Sequence, residues 1–102
     1  MNQAQMMAQV KKMQAEMTKA QDELAATVVT GTAGGTAVSL EMTCDYRVNS
    51  VKLAKEALDP EDPETLEDLL VVAFNDAVAK AQETSSKRMG ALTGGMRIPG
   101  LM

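Results

Sequence analysis

Histidine is absent from this chain of 102 residues, and so is tryptophan. Without histidine the commonest general base and the commonest zinc ligand are missing. Cysteine occurs once, at Cys44, so neither an internal disulfide nor a thiolate metal site can be assembled within one chain. The aromatic residues are Tyr46 and Phe74 alone. Two rings cannot supply the stacking platform on which many proteins hold unpaired bases. No apolar run approaches the roughly 20 residues that span a bilayer, and nothing at the start reads as a secretory leader. The chain is expected to be cytoplasmic and soluble, with no membrane partner, no metal and no cofactor. It offers no nucleophile–base pair, so it is not expected to be an enzyme. Cys44 reads as a small filler in a turn.

What is present is aliphatic and flexible. Leu, Val, Ala and nine methionines must build the core, and methionine adapts to irregular gaps and partner surfaces. A single domain of this length buries only about 60–70% of its unfolded surface. A second copy would supply the missing cover.

Residues 1–26 read as a helix. Met6, Val10, Met13, Met17, Ala20 and Leu24 recur at alternating steps of three and four, the seam of a short coiled coil or packed helix. The segment has no Gly or Pro and is rich in good helix formers. Residues 27–55 switch to strand chemistry. Thr27-Val28-Val29-Thr30 is β-branched, and residues 31–35 read as a glycine turn. Val38, Leu40 and Met42 then alternate with Ser39, Glu41 and Thr43. A turn near Cys44-Asp45 leads to a third strand with Tyr46, Val48, Val51 and Leu53. Its apolar phase slips at Asn49-Ser50, where a β-bulge would restore alternation. Gly34-Gly35 lacks the Lys-Ser/Thr of a P-loop and lies between strands, so it reads as a hairpin turn.

Asp62 as cap, Pro63 in the first turn and the early acids Glu64, Glu67 and Asp68 mark the start of a second long helix over 62–89. Leu66, Leu69, Leu70, Ala73, Phe74, Ala77, Val78 and Ala81 form its apolar stripe, and Val71 and Val72 widen it beyond one sheet face. Gly90 is placed to close that helix. Residues 90–102 then form a tail with Gly94, Gly95, Pro99 and Gly100, yet it keeps Leu92, Met96, Ile98 and Leu101 and is expected to dock on a surface. The whole reads as one α+β domain, α-β-β-β-α, with a three-stranded antiparallel meander and two long helices, paired as a dimer.

Net charge is −4, which taken alone speaks against nucleic acid. The distribution matters more. Residues 56–86 hold nine acids and one lysine, whereas residues 87–102 hold Lys87, Arg88 and Arg97 and no acid. Lys11, Lys12 and Lys19 lie on the first helix. Read from charge alone, these three are an ordinary solvated helix face rather than a phosphate-binding one, because charged helix faces are common.

Four groups of residues, in order, resemble one family. Met6-Met7 with Met13-Gln14, Gly31-x-Ala33-Gly34-Gly35, and Asp59-Pro60-Glu61-Asp62 followed by Leu66-Glu67-Asp68-Leu69 and Asn75-Asp76-Ala77 are similar to successive parts of the YbaB/EbfC-type nucleoid-associated proteins of bacteria. Gly90-x-Leu92-Thr93-Gly94-Gly95 with Pro99-Gly100-Leu101 resembles their ending. The Asn-Gly chemistry usual in that family near Thr43-Cys44 is missing here. The resemblance implies a homodimer with a tweezer-like outline that binds double-stranded DNA with little or modest sequence preference, for DNA organisation, protection or gene regulation in the nucleoid. Other nucleoid proteins are further expected partners. With it, the candidate DNA-binding residues, chosen by charge, are Lys11, Lys12, Lys19, Lys87, Arg88 and Arg97, acting on phosphates. The alternative is a protein-interaction module for recombination or replication machinery that reaches DNA only indirectly.

Overall fold

Asn2 starts the first helix by a reciprocal cap. Its side-chain oxygen accepts the Gln5 N–H at 2.8 Å, and the Gln5 side chain accepts the Asn2 N–H at 3.3 Å, satisfying two donors that helix geometry leaves orphaned. The computed structural model describes residues 2–93. Helix α1 runs over Gln3–Ala26, about 36 Å at the usual rise. Thr27 stops it, extended, with its N–H turned back to the Leu24 carbonyl. Only Ala20 and Leu24 of α1 are buried. Residues 2–19 are all exposed, so this part of the helix projects as an arm.

Strands β1 (Val28–Ala33), β2 (Val38–Thr43) and β3 (Val48–Leu53) form an antiparallel sheet in sequential order. The expected turn over residues 31–35 is shorter than anticipated. Gly31 belongs to β1, pairing with Leu40, and the reversal uses Gly34 and Gly35 at φ of 60° and 70°. Gly31 is needed for another reason. A Cβ there would strike the Ala73 carbonyl oxygen and stand 2.6 Å from the Ala77 Cβ, so glycine lets strand and helix backbones approach closely.

The predicted bulge is present. Glu41 faces Ser50 and Met42 faces Val48, which leaves Asn49 as the extra residue. The β2–β3 turn persists without Asn-Gly. Thr43 organises it: its hydroxyl bonds to the Asp45 carboxylate and accepts the Arg47 N–H at 3.1 Å. Tyr46 lies in this turn and not in β3, at φ 69°, a left-handed conformation that costs a non-glycine residue about 1–2 kcal/mol.

Helix α2 covers Pro63–Thr93. Asp62 caps it, accepting the Thr65 N–H at 3.3 Å and the Thr65 hydroxyl at 2.6 Å. It passes the expected boundary at Met89 by four residues. Gly90 is helical, and a Cβ there would meet nothing within 4 Å; a glycine closes a helix only when its backbone turns left-handed. Ala73, Ala77 and Ala81 are fully buried against the sheet, with Val38 and Leu40 as the largest fully buried side chains. The alanine stripe explains how so small a core packs at all.

A helix about 10 Å wide covers two strands spaced near 4.8 Å, not three. Accordingly α2 lies over β1 and β2. Val48, Val51 and Leu53 oppose the buried Met42, Leu40 and Val38 and share their face, yet they remain exposed. The half-buried third strand expected from alternation is therefore uncovered within one chain. The other edge is closed. Thr32 N–H donates to Asp76 Oδ2 at 3.0 Å, and Lys80 Nζ donates to the Thr30 carbonyl at 2.8 Å, capping backbone groups that edge strands leave free. Val71 and Val78 lie roughly half a turn around α2 from Asp76 and Lys80, by the 100° step of a helix. Val71, half-buried Phe74 and Val78 thus flank the bare β3 face, with Val71 at 59% exposure.

Candidate nucleic-acid interface

The two helices run antiparallel. Arg88 Nε donates to Glu23 Oε2 at 2.8 Å, Leu24 shares the core cluster with Ala81, and further along Met13 and Met17 meet Met89 and Leu92 across a crevice of about 340 Å³. Lys12 and Glu16 line that crevice too. Lys11 and Lys19 lie on a different side of α1, over a shallow surface shared with Gln14, Ala15, Thr18 and Asp22. Successive helical residues diverge by about 100°, which is why Lys11 and Lys12 part company. The structure thus gathers Lys11 with Lys19 and sets Lys12 on the crevice flank.

Lys87 and Arg88 are both engaged. Lys87 Nζ is 3.1 Å from Glu83 Oε1, one turn back on the exposed surface. Arg88 holds Glu23, and that hydrogen bond is the main reason the Glu23 carboxyl titrates below its ordinary range. Among the described residues, Lys11, Lys12 and Lys19 form no ion pair within 4.0 Å. Arg97, and with it the expected docking of the tail, lies outside the described residues.

Residues 2–15 contain no acid, and the first turn of α1 carries none to offset the positive end of the helix dipole. The arm is therefore cationic toward its tip and mixed at its base, where Glu16, Asp22 and Glu23 sit. The acid-rich start of α2 is remote. Asp68 precedes Met89, at the crevice beside Lys12, by a length of helix equal to about 32 Å.

Sequence reasoning missed the Lys80 and Asp76 pair. Their i,i+4 spacing signals only a helix-surface ion pair, and nothing local shows that both reach a strand edge. The Thr32 N–H, and after it Lys80, hold the Asp76 carboxyl below its usual range. Among the described residues no group of His, Cys, Asp and Glu could hold a metal ion, and no helix is long and apolar enough to cross a membrane. Cys44 is buried, with its N–H on the Leu24 and Thr27 carbonyls.

Comparison with known proteins follows the same lines. The pattern of the YbaB/EbfC DNA-binding family matches residues 1–96. A nucleoid-associated protein of Chloroflexus aurantiacus is 50% identical over 97 residues, covering 95% of this chain and 97% of that one. One from Roseiflexus sp. is 48% identical over 100 residues, covering 98% and 99%. One from Pelotomaculum thermopropionicum is 46% identical over 100 residues, covering 98% and 95%. A crystal structure of an uncharacterized Helicobacter pylori protein shares the fold, with a TM-score of 0.81 over 92% of this chain and 99% of that one at 21% identity.

Proposed function

We propose that this chain, which belongs to the YbaB/EbfC DNA-binding family, acts as a homodimer that holds double-stranded DNA through its phosphates. It reads little or modest sequence information, serves DNA organisation, protection or gene regulation, and works in the nucleoid. The observation that carries this reading is the acid-free arm of α1. Lys11 and Lys12 stand there without ion pairs, about 32 Å of helix away from the acidic start of α2.

Phosphate neutralisation releases counterions and needs no pocket. The exposed arm suits it, and two aromatic residues in the whole chain suit base stacking poorly. Pairing of two copies supports the reading further. The bare face of Val48, Val51 and Leu53, flanked by Val71, is apolar and left uncovered within one chain. A second copy's α2 fits there, and the reciprocal fit would place two helices between two sheets. Such a pair carries two cationic arms.

The test is a titration of labelled duplex DNA at increasing salt. Affinity should fall steeply between low and moderate ionic strength. Absence of binding at low salt sinks the reading. Binding that survives charge reversal at Lys11, Lys12, Lys87 and Arg88 would favour instead the protein-interaction module.

A further inference from the structure

We propose that the outer edge of β1 is a second association surface of this chain, competent to take the β1 strand of another copy, and that Asp76 and Lys80 keep it shut. This closure is separate from DNA binding and does not depend on it.

Successive strand residues turn their N–H and C=O groups alternately toward one neighbour and away from it. The Thr32 N–H and the Thr30 carbonyl meet α2 side chains, so Thr30 and Thr32 turn theirs outward, while Gly31 between them faces β2 opposite Leu40. The carbonyl before Gly31 and the N–H after it are the two groups that one residue of a parallel added strand would bond. An antiparallel neighbour would use the same two groups. Asp76 and Lys80 take both. The Asp76 carboxylate accepts at 3.0 Å where a strand carbonyl would accept, and the Lys80 ammonium donates at 2.8 Å where a strand N–H would donate. The two side chains hold each other at 3.0 Å, so the pair stands in for a single strand residue. The close approach at Gly31 sets the helix backbone near enough for the short Asp76 side chain to reach.

Strand β1 has no guard of its own. Val28, Val29, Thr30 and Thr32 are β-branched, and residues 28–33 hold neither a charge nor a proline, the composition that invites strand addition at an edge. The opposite edge differs. Strand β3 carries Lys52 and the bulge at Asn49, and both features disfavour edge pairing. Exposed apolar surface borders the β1 edge as well. Val28 is 45% and Val72 55% exposed, and Val72 lies one turn before Asp76 on the same side of α2. A second copy's β1 is the occupant that fits, because it turns the same groups outward and can pair with this one about a two-fold axis.

Light scattering on the full chain tests this, with circular dichroism confirming that each variant keeps its helices. Asp76→Ala with Lys80→Ala opens the edge, and the weight-average mass at fixed protein concentration should at least roughly double over the wild-type value. Exchanging the charges, Asp76→Lys with Lys80→Asp, keeps an i,i+4 ion pair and the net charge. It offers an ammonium to an N–H and a carboxylate to a carbonyl, so it should assemble likewise. Thr30→Pro added to either variant removes an outward N–H that the β1–β2 ladder does not use, and should return the mass to the wild-type value. Assembly that survives Thr30→Pro overturns the proposal, and so does a wild-type mass in either open-edge variant. Should the paired substitutions prevent folding, Lys80→Ala alone frees the Thr30 carbonyl and leaves Asp76 on Thr32. A rise in mass that Thr30→Pro reverses then supports the proposal, and a wild-type mass at every concentration overturns it.

Discussion

Replacing Lys11 and Lys12 with glutamine removes two charges from the arm while keeping long, unbranched side chains that favour helix. The two lysines are exposed and without ion pairs among the described residues, so nothing in the fold depends on them. If both arms of a dimer engage DNA, the substitution removes four phosphate contacts. The slope of log affinity against log salt should become shallower by roughly 3.6, at about 0.9 per phosphate. Between 50 and 200 mM salt that amounts to a loss of affinity roughly 150-fold smaller than the wild-type loss. A shift near 1.8 would mean that one arm engages at a time.

Fluorescence anisotropy with a labelled duplex at five or six salt concentrations measures both slopes. Circular dichroism of the free protein checks that the helix survives. Lys52→Gln with Lys55→Gln is the matched control, because these exposed lysines flank the end of β3 and should leave the slope unchanged. A slope that moves by less than about 1 on loss of Lys11 and Lys12 would refute phosphate contact by the arm. A slope that moves equally for Lys52 and Lys55 would refute its localisation.

Three further outcomes follow from the packing and the hydrogen bonds. Gly31→Ala forces a methyl into the α2 backbone, 2.7 Å from the Ala77 nitrogen; a cost of about 3 kcal/mol should lower Tm by at least roughly 10 °C at fixed protein concentration, and a change under about 3 °C would contradict the close approach. Val51→Asp should convert a dimer at micromolar concentration into monomers by light scattering, whereas retained dimers would remove the β3 face from the interface. Asp76 is held below its usual range by Thr32 and Lys80, so its stabilising contribution is complete above the ordinary aspartate value near pH 4 and is lost as pH falls through the lower folded value; Asp76→Asn should flatten the dependence of Tm on pH below about pH 4, and an unchanged acid limb would deny the linkage.

Periodicity made most of the fold legible. The three–four seam of α1, the alternation of Val38, Leu40 and Met42, and the phase slip at Asn49 each encode a local geometry, and each recurs in the structure. Features set by distant partners were not legible. Gly31 looks like a turn residue until Ala73 and Ala77 arrive 42 and 46 residues later to need its missing side chain. Gly90 looks like a helix stop because composition cannot specify the sign of φ. The exposure of Val48, Val51 and Leu53 depends on the width of one helix over three strands, which no window of sequence contains. For the candidate interface, charge counting proposed six cations but could not tell which of them are paired. Pairing of Arg88 with Glu23 across 65 residues, and of Lys87 with Glu83, is a property of the assembled helices.

That division explains why net charge misleads for this chain. An exposed charge about 32 Å away acts through four screening lengths at physiological salt, which leaves on the order of 2% of its unscreened influence. The acids at the start of α2 dominate the total of −4 and yet barely reach Lys12. Glu16, which lines the same crevice as Lys12, lies within one screening length and counts in full. The quantity that decides whether a polyanion approaches is therefore the charge of the exposed arm from residue 2 to residue 19, where Lys11, Lys12 and Lys19 against Glu16 give +2. Long helices make this separation possible: α2 is long enough to hold an acidic end and a cationic neighbourhood on one rigid element without either cancelling the other.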